Sequence, residues 1–317
     1  MKAIVYENYG LADVLELEEI DKPIANADEL LIKVHATAVT PLDWHFMTGT
    51  PFLARIMAGL FKPKHKVLGT QVAGVIEAIG EEVTRFKPGD AVLGRSVKCG
   101  GFAEYVCIPE NEAWRKPAEM SFEEAAAVLF SAITALICLV DLGQIQSGQT
   151  VLINGASGGV GTLAVPIAKS YGVKVTGVCS SRNLELVRSL GADQVIDYTE
   201  EDFTKNEAHY DLIFDAVGKR SFADCRGALM PDGIYITTAF SPAQALKGKW
   251  VSMTGSQKMI PMPPIDPRPE IRELFEALLA AGKLKPVIDR CYPLNEIQEA
   301  FRYYEKGHTK GRVVITI

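Results

Sequence analysis

One glycine-rich turn, set between an apolar strand and a helical segment, limits the folds open to this chain more than any other feature. It is the run VLINGASGGVG at residues 151–161, which places glycines at 155, 158 and 161. In a βαβ unit, such glycines permit a tight turn, let the backbone approach a pyrophosphate and let the helix pack closely on its strand. The spacing is GxxGxxG rather than GxGxxG, so a purely structural glycine turn is the alternative. We predict that a dinucleotide contacts Gly155, Ala156, Ser157, Gly158, Gly159, Val160 and Gly161.

The residues around this turn alternate between short apolar strands and longer helical stretches. Strand patterns occur at residues 150–154, 174–179, 194–197, 211–215 and 234–238, and we predict a sixth strand near 249–252. Alternation of this kind requires a parallel sheet with helices on both faces. The predicted fold class is therefore α/β, with a doubly wound parallel sheet of the Rossmann type.

A different pattern occupies the first 115 or so residues, which are rich in Val, Ile and Thr and are interrupted by Gly and Pro. This pattern predicts short strands joined by turns, hence a mostly β domain. The chain has 317 residues, whereas single cores stop growing at roughly 250 to 300, so we expect two domains. A Pro-rich stretch at 260–269 predicts a crossing back to the first domain, before an amphipathic helix at 270–281 and a final strand at 311–317. The predicted limits are 1–121 for the β domain, 122–256 for the sheet domain and 257–317 for the returning segment.

Charge and composition exclude several other classes of protein. The formal charge is −6 and the Lys and Arg residues are scattered, so no basic face suits nucleic acid. Glu7 interrupts the N-terminus too early for a signal peptide, and no run reaches the roughly 18 apolar residues of a membrane span. The six cysteines form no CxxC pair, which argues against a zinc knuckle and a dithiol site. We expect a cytoplasmic protein that binds neither nucleic acid nor a membrane.

A short apolar helix is predicted inside the β domain. Phe52, Leu53, Ile56, Met57 and Leu60 follow one helical face, and basic residues surround them. We interpret this segment as a helix packed over a pocket. A helix lying on a membrane surface is the alternative.

The end of the second strand of the sheet domain indicates which dinucleotide binds. Enzymes that prefer NAD usually carry Asp or Glu there, where the carboxylate accepts hydrogen bonds from the ribose hydroxyls. Here the sequence is GVCSSR at 177–182, so Ser180, Ser181 and Arg182 offer two hydroxyls and a guanidinium to a phosphate. We predict NADPH as the cofactor. An Arg182 that is merely an exposed surface residue is the alternative.

Further motifs occur in order along the whole chain. They include GVI at 74–76, FKPGDAV at 86–92, GFAEY at 101–105 and LGAD at 190–193. Together with the glycine-rich turn, they resemble the medium-chain dehydrogenase/reductase superfamily in its quinone oxidoreductase branch. The resemblance implies a Rossmann domain inserted into a GroES-like mostly β domain, and NADPH-dependent reduction of a small molecule. We also expect a homodimer.

Zinc-dependent members of this superfamily carry their metal ligands at three places that hold other residues here. Those places hold Thr40, Thr70-Gln71 and Phe130, which cannot supply the thiolate and imidazole ligands that zinc requires. The resemblance therefore implies a zinc-free enzyme. Without a Lewis acid, the acceptor has to be electron-poor, as a quinone is. Reduction of an enone or 2-alkenal at its C=C bond is the alternative, and a non-catalytic NADPH-binding sensor is a second one.

The resemblance also implies roles for individual residues. Thr40 and Thr134 would lie near the nicotinamide ribose, and Tyr198 would contact the adenosine phosphate. The catalytic candidates are Thr40, Asp43 and His45, with water as a further source of the proton. Four residues are predicted to line the acceptor pocket: Trp44, Phe46, Phe52 and Ile56. The remaining predicted cofactor contacts lie at strand ends and in the tail: Val217, Thr238, Ala239, Phe240, Lys310, Gly311 and Arg312.

Overall fold

A computed structural model describes residues 1–207, 209–239, 242–263 and 266–317. The chain forms two compact units, one made of Met1–Phe130 with Lys285–Ile317 and the other of Ser131–Leu284. The second unit is thus inserted between two parts of the first, as the fold class predicted. Its limits fall after residues 130 and 284, whereas the sequence predicted limits after 121 and 256.

The strands are β1 (Lys2–Val5), β2 (Glu16–Glu19), β3 (Glu29–Ala38), β4 (Gln71–Ile79), β5 (Ala91–Arg95), β6 (Tyr105–Pro109), β7 (Ala113–Arg115), β8 (Thr150–Asn154), β9 (Lys174–Cys179), β10 (Gln194–Asp197), β11 (Tyr210–Asp215), β12 (Leu229–Thr237), β13 (Lys258–Pro261), β14 (Ile288–Pro293) and β15 (Arg312–Thr316). The helices are α1 (Pro41–Thr48), α2 (Phe52–Ala58), α3 (Phe122–Leu136), α4 (Gly161–Ser170), α5 (Leu184–Ser189), α6 (Phe222–Cys225), α7 (Pro242–Thr254), α8 (Pro269–Ala280) and α9 (Ile297–Glu305).

The first unit is built on a mixed sheet in the order β14-β15-β3-β4-β5-β7, with β6 also paired to β3. β15 pairs antiparallel with β3, so the end of the chain returns to the β domain as predicted. The strands bury Val and Ile side chains between them, with Ile32, Val72 and Val92 at 0–1% exposure. This core fixes the end of β3 and the start of β4, which carry the polar residues described below.

The second unit holds one parallel sheet in the order β10-β9-β8-β11-β12-β13. In chain order this is 3-2-1-4-5-6, the order of the dinucleotide-binding fold, which places its ligand outside the carboxyl ends of the strands. Every adjacent pair is parallel. The loops after β8, β9, β11 and β12 therefore emerge at the same edge of the sheet.

The predicted sixth strand near 249–252 is wrong, because those residues lie inside α7 and the sixth strand is β13. Leu246, Trp250 and Met253 are spaced i, i+4, i+7, which is the period of a helix rather than of a strand. A helix is also needed there, because two adjacent parallel strands must be joined by a crossover. The placement of β13 and α8 in the second unit moves its end from 256 to 284.

α3 and the π-helical turn after it, Ile137–Leu142, form the most apolar helix of the described chain. The segment Phe122–Leu142 is long and apolar enough to cross a membrane, which the sequence prediction had excluded for any run. Inside the protein, however, 78% of its most apolar window is buried. Burial of this extent is typical of the core helix of a globular domain.

Candidate active site

The glycine-rich turn follows β8 and is tied to the neighbouring strand. The N–H groups of Gly155 and Ala156 both donate to the Val178 carbonyl oxygen, at 3.0 Å each. Gly155 has a φ of +85°, which L side chains rarely adopt. At Gly161, where α4 begins, a Cβ would come within 2.1 Å of the Gly155 carbonyl oxygen. Both glycines are therefore required by the fold of the turn itself.

Gly158 differs from these two glycines because its protein surroundings do not demand it. A Cβ at Gly158 would meet only the Gly155 carbonyl oxygen, at 3.4 Å, among the described residues. The position is thus open on the side that a side chain would fill. A glycine here leaves room for a phosphate to approach the backbone at the start of α4.

Asn183 links this turn to the end of β9, and sequence reasoning missed it. Its Nδ2 donates to Ser157 Oγ at 3.0 Å and to Ser180 Oγ at 3.4 Å, and the residue is 4% exposed. Its Oδ1 is buried and has no hydrogen-bond partner in the described part of the chain. A buried polar atom of this kind is expected to bind a ligand or water.

The residues predicted to select NADPH lie at the end of β9. Ser181 and Arg182 are exposed there, and Ser181 Oγ lies 2.9 Å from Thr199 Oγ1. The structure adds a carboxylate that the sequence argument did not consider, because parallel pairing places Asp197 of β10 in register with Cys179. Hydrogen bonds from Ser181 and Thr199 lower the pKa of Asp197. The neighbouring Tyr198 is 51% exposed, and its N–H donates to the Cys179 carbonyl oxygen at 3.0 Å.

The loop after β11 is held by Asp215, a second residue that sequence reasoning missed. Asp215 is fully buried, and its Oδ1 accepts hydrogen bonds from Asn154 Nδ2 at 2.9 Å and from the N–H groups of Val217 (3.1 Å) and Gly218 (3.0 Å). Its backbone oxygen accepts from Thr238 N–H at 3.1 Å. Asp215 thereby fixes the backbone at the ends of β8, β11 and β12.

These loops converge on the glycine-rich turn. A Cβ on Gly155 would lie 2.6 Å from Val217 Cγ2, and one on Gly218 would lie 2.7 Å from Ala239 Cβ. The structure therefore brings the predicted residues Val217 and Ala239 to the edge of the sheet that carries the turn. The predicted contact Phe240 lies outside the described residues.

Thr134 of α3 is the remaining predicted cofactor contact of the second unit. It is 1% exposed, and its hydroxyl has no hydrogen-bond partner within the described ranges. Thr134 Oγ1 and Asn183 Oδ1 are thus two buried polar atoms that a bound cofactor could satisfy. With the open position at Gly158, they make this unit chemically suited to a dinucleotide.

In the first unit, two of the places that hold zinc ligands in zinc-dependent relatives meet in one buried cluster. Thr40 is the N-cap of α1, and its hydroxyl lies 2.6 Å from Asp43 Oδ2 and 3.2 Å from Thr70 Oγ1. The N–H of Gly69 donates to Asp43 Oδ1 at 3.2 Å. Beside the cluster, Gln71 Oε1 accepts from the N–H of Phe130 at 2.7 Å. The predicted zinc-ligand positions therefore hold the hydroxyls of Thr40 and Thr70 and the amide of Gln71, and the carboxylate of Asp43 lies beside them.

Asp43 is the only carboxylate among these groups, and its environment is unusual. The side chain is fully buried. Burial raises its pKa to about 6, although hydrogen bonds from Thr40, Gly69 and Thr70 favour the ionised form. Among the described residues, no group of three His, Cys, Asp or Glu side chains is arranged to hold a metal ion.

Comparison with known proteins places the chain in a family. The family model for the alcohol dehydrogenase GroES-like domain matches residues 26–118, and the model for zinc-binding dehydrogenases matches residues 190–315. Mouse mitochondrial NAD(P)H oxidoreductase RTN4IP1 is 34% identical over 362 residues, covering 100% of this chain and 89% of the relative. The chain belongs to the quinone oxidoreductase-like, zinc-independent medium-chain dehydrogenases/reductases. It is accordingly an oxidoreductase.

Two further relatives of this oxidoreductase are informative. The chloroplastic NADPH-dependent alkenal/one oxidoreductase of Arabidopsis thaliana is 34% identical, with 99% of this chain and 79% of the relative covered. The structure of the quinone oxidoreductase from Coxiella burnetii superimposes with a TM-score of 0.89 at 28% identity, covering 100% of this chain and 99% of that one. These relatives carry two different acceptor classes in their names.

The other residues predicted for acceptor binding or catalysis in the oxidoreductase are dispersed. Phe46 is 8% exposed and belongs to the core of the first unit, whereas Phe52 and Ile56 are 64% and 63% exposed. Trp44 is half-buried, and its Nε1 donates to Glu305 Oε1 at 3.3 Å. His45 does not join the Thr40 and Asp43 cluster, because its Nδ1 lies 2.6 Å from the Thr50 carbonyl oxygen. The helix α2 thus leaves Phe52 and Ile56 largely exposed, and their role in lining an acceptor pocket stays a prediction.

The tail residues predicted to reach the cofactor have structural partners within the first unit. Lys310 is exposed, and its N–H donates to Asp289 Oδ2 at 3.0 Å. A Cβ on Gly311 would lie 2.0 Å from the Val287 carbonyl oxygen. Arg312 is 4% exposed, with its guanidinium 5.4 Å from the Phe130 ring. Close packing against Val287 accounts for the glycine at 311, and the cofactor role of Lys310, Gly311 and Arg312 stays a prediction.

Proposed function

We propose that this oxidoreductase is an NADPH-dependent, zinc-free reductase that transfers a hydride to an electron-poor acceptor such as a quinone. The observation that carries the proposal is the contact of Thr40 with Thr70, at 3.2 Å, where zinc-dependent relatives bind their metal. Hydroxyls cannot replace the thiolate and imidazole ligands of zinc. The acceptor itself therefore has to be electrophilic, because no Lewis acid polarises it. NADPH, when bound, supplies the hydride, and a proton from solvent completes the hydroquinone.

The residues of the second unit would bind and orient the cofactor. Gly158 would admit the pyrophosphate, while Asn183 and Thr134 would offer their buried polar atoms. Ser180, Ser181 and Arg182 would bind the 2′-phosphate, with Tyr198 beside the adenosine. In the first unit, Thr40 would position the reacting ring and Asp43 would hold Thr40 in place. Asp43 would therefore act through Thr40, whose hydroxyl donates to its carboxylate at 2.6 Å.

The second candidate is reduction of the C=C bond of an enone or 2-alkenal, which the Arabidopsis relative favours. The rate at which NADPH absorbance decreases, measured with a panel of acceptors, distinguishes quinone reduction from alkenal reduction and from binding without turnover. We expect steady oxidation with 1,2-naphthoquinone, slower oxidation with a 2-alkenal and none with a simple ketone. Faster turnover of the alkenal would favour the second candidate. Tight NADPH binding with no turnover of any acceptor would favour a non-catalytic sensor instead.

The preference for NADPH gives a direct test of the residues at the end of β9. We expect NADPH to bind at least tenfold more tightly than NADH, a difference of about 1.4 kcal/mol. Arg182→Ala should remove most of this difference, because the guanidinium is the positively charged group at the end of β9 that would bind the 2′-phosphate. Fluorescence titration of both cofactors measures it, with Arg226→Ala as a control that removes another exposed arginine of the second unit. Equal affinity of the unmodified protein for both cofactors would contradict the assignment.

The homodimer and the cytoplasmic location remain proposals. The face of α7 supports self-association, because Leu246, Trp250 and Met253 are 72%, 67% and 85% exposed beside β13, the last strand in the sheet order. A second copy would cover this apolar stripe. Curated relatives are named as mitochondrial or chloroplastic, so cytoplasmic location is supported by the sequence argument alone.

A further inference from the structure

The helix α2 buries its small side chains and exposes its large ones. Ala54 and Ala58 are 8% and 3% exposed and belong to the core of the first unit. Large apolar side chains of α2 and the residues just after it are 48–87% exposed, and we call them the apolar edge: Phe52, Ile56, Met57, Leu60 and Phe61. Single exposed apolar residues are ordinary, but five within ten positions mark an interaction surface.

The charged residues next to the apolar edge along the chain are all positive. Arg55, Lys62, Lys64 and Lys66 are the charged residues between Asp43 and Glu77, where the sequence has no Asp or Glu. The whole chain has a formal charge of −6, so this segment has the opposite sign to the rest of the protein. The charge is therefore concentrated beside the apolar side chains.

Backbone contacts hold the lysines close to the end of α2. The N–H of Lys64 donates to the Ala58 carbonyl oxygen at 2.6 Å, and the Tyr9 hydroxyl donates to the Gly59 carbonyl oxygen. Arg55 is anchored, with its Nε donating to the Gly49 carbonyl oxygen at 3.1 Å, and Lys66 lies 3.7 Å from Glu7. Lys62 and Lys64 are exposed. They are the cations most available to an external partner.

We propose that the segment 52–66 docks this protein on an anionic phospholipid bilayer, with the apolar edge in the interface and the lysines at the headgroups. An apolar face flanked by Lys and Arg is typical of interfacial helices, and each basic residue near an anionic bilayer strengthens the binding. The segment has four Lys and Arg residues and no acidic one, so its charge complements an anionic headgroup layer. The proposal departs from the sequence-based expectation of no membrane partner, and it does not depend on the acceptor of the reductase.

Flotation of the full chain with unilamellar vesicles tests this docking. We expect the protein to float with vesicles that mix phosphatidylcholine and phosphatidylglycerol, to stay at the bottom with phosphatidylcholine alone, and to dissociate in high salt. Lys62→Glu with Lys64→Glu should lower the partition coefficient roughly tenfold or more. Leu60→Ser with Phe61→Ser should lower it as well, because the interface loses apolar area. Each of these four residues is exposed, so the variants should fold.

The matched control reverses two exposed lysines of the second unit, Lys174→Glu with Lys283→Glu, and should leave flotation unchanged. NADPH oxidation by a soluble quinone should be equal in the Lys62 and Lys64 variant and in the unmodified protein, which separates docking from catalysis. Protein that fails to float with anionic vesicles would overturn the proposal. Equal loss in the control variant, or equal flotation with neutral vesicles, would overturn it too.

Discussion

Gly158→Leu should weaken NADPH binding at least about 100-fold, or roughly 2.7 kcal/mol, while leaving the protein folded. The reason is that a side chain at this position meets little of the protein and fills the space into which the pyrophosphate would enter. A Cβ there lies 3.4 Å from the Gly155 carbonyl oxygen, which is an ordinary contact. Fluorescence titration with NADPH measures the loss, and urea unfolding should give a free energy of unfolding within about 1 kcal/mol of the unmodified protein.

Gly161→Ala is the matched control, because a side chain at 161 would strain the backbone of the same turn, whereas one at 158 would only fill the space beside it. Its Cβ would lie 2.1 Å from the Gly155 carbonyl oxygen, so the backbone has to move. We expect a loss of stability of about 1 to 3 kcal/mol from this overpacking. If Gly158→Leu bound NADPH as tightly as the unmodified protein, the turn would not be the pyrophosphate site.

Asp43→Ala should destabilise the first unit by about 3 to 5 kcal/mol, because it leaves buried donors without their acceptor. These donors are the N–H groups of Thr40 and Gly69 and the hydroxyls of Thr40 and Thr70. Denaturant unfolding measures the loss. A change below about 1 kcal/mol would show that the cluster contributes little to the fold.

The same carboxylate predicts a pH dependence of stability. Burial raises the pKa of Asp43 to about 6 in the folded state, above the ordinary value of 3.8. The folded protein therefore holds this proton more tightly than the unfolded chain does. Its contribution to stability is complete below about pH 4 and is lost as the pH rises through about 6. Between about pH 4.5 and 7.5 the loss should be about 2 kcal/mol.

Asp43→Asn tests the sign of this effect, because the amide does not titrate. The difference in free energy of unfolding between the unmodified protein and Asp43→Asn should fall by about 2 kcal/mol over that pH range. Asp232→Asn, at an exposed position of the second unit, should give a curve parallel to that of the unmodified protein. A parallel curve for Asp43→Asn would show that Asp43 is not the titrating group.

The sequence predicted most of the second unit because its signals are local. Five strands and the glycine-rich turn follow from hydrophobic period and turn residues, and the structure has them. The tail also returns to the first unit, as predicted, where β15 pairs with β3. The prediction of a sixth strand at 249–252 was wrong because these residues are apolar enough for a strand or a helix. A helix forms there because β12 and β13 are parallel and must be joined by a crossover.

The site was less predictable, because its polar contacts join residues that are distant in the chain. Asn183 touches Ser157 across 26 positions, and Asp197 reaches the end of β9 through strand pairing. Neither contact leaves a periodic signal in the sequence. The helix α2 shows another limit, since its large apolar face resembled a buried one. The helix packs Ala54 and Ala58 against the core instead, and hydrophobic periodicity alone does not show which side of a helix points inward.

This chain should reduce electron-poor acceptors with NADPH and without zinc. The most direct test measures the zinc content and the rate of NADPH oxidation by 1,2-naphthoquinone in one preparation, before and after treatment with a chelator. We expect no stoichiometric zinc, a rate that the chelator leaves unchanged and no NADP-linked oxidation of ethanol. One zinc per chain, together with ethanol oxidation that the chelator abolishes, would contradict it.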